Sequence, residues 1–263
     1  MDKLLDACRR NNSLLCVGLD PDPRQMPATD ILNFTSSIIE ATSDLVCAYK
    51  PNFAFFEAQG LQGMKALEET VKFVPTHIPV IGDAKRGDIG NTARAYATSV
   101  FEIYGCDAVT VSPYLGLDSI QPFIDYQDRG VFILCRTSNK GAGDFQDIPD
   151  AAGRPLYETV AIKANEWNIK NNIGLVVGAT YPQELNRIRK ICPSMPLLIP
   201  GVGTQGGDLE QAVRFGTDSS GEMAILNVSR QVLYASRGQD FAQAARRAAV
   251  NLRNAINAIR GRK

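Results

Sequence analysis

Short runs of β-branched and aliphatic residues recur along the chain, and each ends in a polar or glycine-containing cluster. Runs at 14–20, 48–53, 80–85, 108–112, 131–137, 174–180, 197–202 and 224–229 have the length and apolar content of buried strands. Between them, segments at 30–48, 57–74, 88–104, 118–127, 155–171, 182–191, 208–215 and 240–260 repeat apolar residues at helical spacing. Several open on helix-start signals: Asp30, Asp118 and Asp208 as caps or first-turn acids, Pro155 and Pro182 as first-turn prolines. Apolar strands alternating with amphipathic helices imply right-handed βαβ units and a parallel sheet. Eight such units in 263 residues predict an α/β fold of the (β/α)8 TIM-barrel type, a single domain over 1–263. An open, doubly wound sheet satisfies the same strand count, because a count does not establish closure. A further helix at 2–11 is expected to plug the barrel bottom.

The spacing is even except between the fifth and sixth strands. There residues 138–154, SNKGAGDFQDIPDAAGR, form a long insert rich in turn formers and acids. Such an insert is either a lid or binding loop, or a plain surface excursion.

Composition narrows the chemistry. The 28 Lys+Arg balance 28 Asp+Glu, so net charge offers no support for a nucleic-acid or membrane partner. A single histidine excludes multi-His metal sites and leaves any Ser-His-Asp system dependent on His77. His77 precedes the third strand and so belongs to the bottom face. The six cysteines contain no C-x-x-C pair and fit buried thiols in a reducing compartment. No segment resembles a signal peptide or a spanning helix, and a cytoplasmic location is the default expectation. The basic C-terminal segment carries Leu252, Ile256 and Ile259 at helical spacing, as an outer barrel helix with a solvated face would.

The third predicted strand breaks its own rule. It should end apolar, yet it ends in Asp83 and Lys85, which strand alternation places together at the barrel mouth. Asp88 and Thr92 follow four residues apart at the expected start of the next helix, on one face. Lys50 ends the preceding strand. Two lysines and two aspartates can neutralise one another without metal or histidine, and strand C-termini are where such barrels place their chemistry. The alternative is an ion-pair cluster that only fixes the rim.

A second constellation lies at the seventh and eighth strands. Gly201, Gly203, Gly206 and Gly207 let backbone N–H groups approach an anion at a helix start, and Arg230 supplies a guanidinium from the next strand end. A plain glycine turn is the alternative. Asp20, after the first strand, is suited to accepting hydrogen bonds from sugar hydroxyls or to capping a turn. Ser138 and Asn139 are suited to a polar heterocycle or to ordinary loop turns.

The run DAKRGDIGNT, from Asp83 to Thr92, is similar to the signature of the orotidine 5'-phosphate decarboxylase family. GLDPDP, YKPNFAFFEAQG, SPYLGLDSIQPF, RTSN, VGAT, PGVGTQGGD and NVSR follow in the family's order and resemble its longer bacterial, type 2 branch. The resemblance implies a homodimeric enzyme that converts orotidine 5'-phosphate to UMP and carbon dioxide without metal or other cofactor. It also implies a network of Lys50, Asp83, Lys85 and Asp88, with Asp88 and Thr92 contributed by the partner subunit. Asp20 would bind ribose, Ser138 the pyrimidine, and Gln205 and Arg230 the phosphate, with Pro200 beside them. Lys85 would stabilise and then protonate the carbanion.

Three rivals remain at this level. A sugar-phosphate decarboxylase sharing D-x-K-x-x-D would use Mg²⁺ held partly by an acid on the second strand, where this chain has Lys50. A Schiff-base aldolase would need a neutral lysine, whereas the flanking Asp83 and Asp88 favour the ammonium. A catalytically silent nucleotide-binding protein would need only the phosphate grip. A fused second activity is not expected, since the chain has no Asp-Asp pair.

Overall fold

The computed structural model describes residues 1–203 and 207–261. Its strands are β1 (Leu15–Leu19), β2 (Ala48–Pro51), β3 (Ile81–Arg86), β4 (Ala108–Val111), β5 (Gly130–Arg136), β6 (Ile173–Val177), β7 (Leu197–Pro200) and β8 (Ala224–Val228). Each falls on one of the eight predicted runs. They pair in parallel in the order β2-β1-β8-β7-β6-β5-β4-β3. The two ends of that order meet through the parallel bridges Tyr49–Val80 and Asn52–Asp83, and Tyr49 N donates to Pro79 O at 3.1 Å. The sheet is therefore a closed (β/α)8 barrel rather than an open one. Every residue of β1, β2, β4, β6 and β8 is buried, because each strand is covered by helices outside and by other strands' side chains within. That double burial explains why the runs read as continuously apolar instead of alternating.

Asp30 and Asp208 act as the expected caps and Pro182 opens its helix, whereas Pro155 stands one residue ahead of Leu156–Trp167. Asp30 accepts from Asn33 N at 2.8 Å ahead of the helix Ile31–Thr42, and Asp208 accepts from Gln211 N at 3.1 Å ahead of Leu209–Gly216. Each such cap stabilises by about 1 kcal/mol. Two helices differ from the expectation. The segment predicted at 57–74 is helical only over Gly60–Phe73, and a separate short helix that the pattern does not predict, Phe53–Glu57, precedes it, the two parted where Gly60 takes a left-handed φ of 64°. The segment at 88–104 begins only at Gly90, runs helically to Thr98 and continues as a π-type turn over Ser99–Ile103. Asp88 thus precedes its helix, and the four-residue face shared with Thr92 does not form.

The N-terminal helix, Asp2–Arg10, closes the bottom as predicted. It buries Leu4, Ala7 and Cys8, and pairs Lys3 with Asp107 at 2.7 Å beside the start of β4. Arg189 was not singled out by the sequence pattern, yet it ties together the bottom loops. Its buried guanidinium donates to the carbonyls of Gly216, Cys192, Met195 and Met223 at 2.6–2.9 Å. The long helix Phe241–Arg260 packs Ala245, Ala249, Leu252 and Ile256 inward, while Arg246 pairs with Asp44 at 2.6 Å on its outer side. All six cysteines are buried and unpaired, and His77 is exposed. Among the described residues no helix is long and apolar enough to cross a membrane.

Candidate active site

A cavity of about 540 Å³ opens where the strands end at their C-termini. That volume suits a small-molecule ligand. Of the residues singled out in the sequence, Asp20, Lys50, Asp83, Lys85, Ser138, Asn139, Pro200, Gly201 and Arg230 line it. Five strand ends distant in the chain, those of β1, β2, β3, β5 and β8, thus deliver polar groups to one space.

Asp83 is the hub. Its Oδ2 accepts from Lys50 Nζ at 2.5 Å, and its Oδ1 accepts from Lys85 Nζ at 2.6 Å and from Thr110 Oγ1 at 2.9 Å. The side chains of Lys50 and Asp83 are 6% and 9% exposed, whereas that of Lys85 is 52% exposed. Burial works against the Lys50 ammonium, but the Asp83 and Asp20 carboxylates outweigh it and hold the amine above its ordinary range. Burial likewise works against the Asp83 carboxylate. Lys50 and Lys85 outweigh that cost and hold its carboxyl well below the usual carboxylate range. The site is therefore one buried ion pair carrying a second ammonium out towards the cavity.

Lys85 reaches that position differently from the sequence expectation. Regular alternation does not hold in β3, because its register with β4 slips between Gly82 and Arg86. Lys85 sits in the bulge with a left-handed φ of 47°, uncommon for a residue bearing Cβ. The expected outcome, both charges at the mouth, holds through a bulge rather than through pleating.

Around this network, Asp20 presents a buried Oδ1 that has no hydrogen-bond partner among the described residues. Arg230 opens a short helix, Arg230–Leu233, that follows β8. Next to it, Gly201 with φ 95° and Gly203 with φ 80° turn the chain after β7, and Val202 bridges to Gly207. Gln205, expected at the phosphate, lies outside the described residues. The insert after β5 is ordered by Arg136, which stacks 3.9 Å from the Tyr181 ring and donates to Gln146 and Asp147, both at 3.2 Å. Gln146 also accepts from Thr137 N at 2.9 Å, which brings the insert over the cavity. Ser138 passes so close to Gly178 that a Cβ there would lie 2.8 Å from the Ser138 Cβ.

Asp88 and Thr92 do not line the cavity of a single chain. Asp88 Oδ1 accepts from Ile89 N at 2.8 Å, and Thr92 is exposed. Conversely, Asn52, Thr110, Gln146 and Asn227 line the cavity without having been singled out. For Thr110 and Asn227 the available signal was a polar residue inside an otherwise apolar run, AVTV and AILNV. Gln146 carries no such signal, because its place depends on how the insert folds back.

Fold and cavity together define a (β/α)8 barrel that gathers ammonium and carboxylate groups at the C-terminal ends of its strands. The chain belongs to the orotidine 5'-phosphate decarboxylase / HUMPS family, whose model matches residues 13–248. An orotidine 5'-phosphate decarboxylase of Roseiflexus castenholzii is 58% identical over 264 residues, covering 98% of this chain and 97% of that protein. One from Dehalococcoides mccartyi strain BAV1 is 54% identical over 266 residues, covering 100% and 98%. Among solved structures, the Leishmania donovani OMP decarboxylase superposes with a TM-score of 0.89 at 45% identity, covering 98% of each chain.

Proposed function

We propose that this chain decarboxylates orotidine 5'-phosphate to UMP and carbon dioxide, the last step of de novo pyrimidine synthesis, with no metal or organic cofactor. The observation that carries this reading is the half-exposed Lys85 ammonium, held on buried Asp83 and facing the cavity. Loss of carbon dioxide from the pyrimidine C6 leaves an electron pair in an sp² orbital with no adjacent sink. A fixed cation must meet that charge. Lys85 stabilises the developing carbanion and transfers a proton to C6, giving UMP; the neutral amine then regains a proton from water.

One such donor is worth about 3–4 kcal/mol, whereas the largest enzymatic accelerations need roughly 20 kcal/mol or more. Binding energy from the remote phosphate must therefore contribute, by orienting the base and ordering the insert. Arg230 and Gln205 are assigned to the phosphate, with Pro200 on the neighbouring wall. Asp20, whose Oδ1 lacks a partner among the described residues, is assigned with Lys50 to the ribose hydroxyls, and Ser138 to the pyrimidine edge.

The working form is a homodimer in which Asp88 and Thr92 complete the partner's network. Two observations support this. Both residues stand outside the chain's own cavity, and the helix Gly90–Thr98 that carries Thr92 packs against Leu117–Ile124, the two preceded or opened by exposed Ile89, Tyr114, Leu115 and Leu117. Unpaired, buried cysteines suit a reducing, cytoplasmic setting.

The deciding experiment follows ultraviolet loss of orotidine 5'-phosphate with purified protein in EDTA. Rapid, stoichiometric UMP formation is expected. A folded protein that binds UMP yet converts nothing would be a silent nucleotide binder, and the proposal would fall.

A further inference from the structure

Between Gly82 and Arg86 the third strand advances four residues, while its partner on the fourth advances two, from Val109 to Val111. Asp83, Ala84 and Lys85 therefore arch opposite one residue, Thr110. The ladder resumes beyond the arch, where Ser112 N donates to Arg86 O at 2.7 Å. Within it, the Thr110 hydroxyl replaces the missing backbone partner. Its Oγ1 accepts from Lys85 N at 3.0 Å and donates to Asp83 Oδ1 at 2.9 Å.

We infer that Thr110 is a positioning residue for the decarboxylation: its hydroxyl locks the arch that aims Lys85 at the reacting carbon. The inference rests on the decarboxylase reading above. One hydroxyl serves as acceptor and donor at once, which matches the capacity of threonine and serine and of no apolar isostere. Thr110 is itself buried, so neither bond is replaced by water without cost. The left-handed Lys85 backbone is disfavoured and persists only where neighbouring bonds over-determine it. Without the hydroxyl, Lys85 N–H and one lone pair of Asp83 lose their partner together. The arch then relaxes, and the ammonium loses its register with C6. Binding of the phosphate, assigned to the far strand end at Arg230, is unaffected.

The test compares Thr110→Val and Thr110→Ser in the full-length protein, by steady-state kinetics on orotidine 5'-phosphate and by calorimetric UMP binding. Thr110→Val is expected to lower kcat about ten- to hundredfold, the scale of a misplaced reacting group, with KM and UMP affinity nearly unchanged. Thr110→Ser is expected to recover most of that loss. If the valine variant does not fold, the serine and alanine variants are compared by the same criterion. Full kcat without the hydroxyl, a loss confined to KM, or a serine variant no better than its apolar counterpart would each overturn the inference. A wild-type protein without turnover would overturn the decarboxylase reading and this one with it, so the two failures are told apart by the wild-type control.

Discussion

Lys50 Nζ lies 2.5 Å from Asp83 Oδ2, and neither side chain is more than a tenth exposed. A buried pair of this kind is weak evidence for stability, because the desolvation of both ions offsets most of their attraction. Its value here is geometric. Asp83 spends one oxygen on Lys50 and the other on Lys85 and Thr110, so the half-exposed ammonium is held by a carboxylate that cannot turn.

Breaking that pair has an expected stability signature. Asp83→Asn leaves Lys50 buried beside a neutral group and should lower unfolding free energy by about 3–5 kcal/mol at pH 7, measured in urea. Adding Lys50→Met should restore much of the loss. The pH dependence follows from the shifts. Asp83 is held below the usual carboxylate range, so its contribution is present above about pH 4 and is lost as pH falls. Lys50 is held above its ordinary range, so its contribution is present below about pH 10 and is lost as pH rises further. A double variant with the wild-type acid limb would show that the pair does not set it.

Chemistry and binding should separate between Lys85 and Arg230. Lys85→Ala is expected to nearly abolish kcat while UMP still binds. Arg230→Ala, removing charge-assisted bonds worth about 1.5–3 kcal/mol, is expected to lower UMP affinity and kcat/KM by roughly ten- to a hundredfold. Near-normal turnover by the Lys85 variant would remove the basis of the mechanism.

Subunit mixing tests the shared site. Inactive Lys85→Ala and Asp88→Ala chains, once exchanged, should regain activity, because each heterodimer rebuilds one complete site. No recovery after demonstrated exchange would mean that each site is built within one chain.

The insert after β5 should depend on Arg136. This buried side chain stacks on Tyr181 and holds Gln146 and Asp147, so Arg136→Met is expected to speed proteolytic nicking within 138–154 and to raise KM. Wild-type resistance to nicking in that variant would place the anchor elsewhere.

Much of this architecture is legible one residue at a time. The eight strands announce themselves because a strand covered on both faces must be apolar throughout, and a charge at its end then stands out, as Lys50, Asp83 and Lys85 do. Asp30 and Asp208 mark helix starts because capping is a local hydrogen bond. Other features depend on neighbours remote in the chain. Closure needs Tyr49 to meet Val80, and Arg189 finds its carbonyls only after the connection that follows its own helix has met the one before β8. The arch at Asp83–Lys85 is a mismatch between two strands, invisible in either alone, and Thr110 acquires its role only from standing opposite it. Local pattern carries the identity of the reacting groups, since burial and charge are properties of single residues. Their aim is set by register and closure, which exist only between strands.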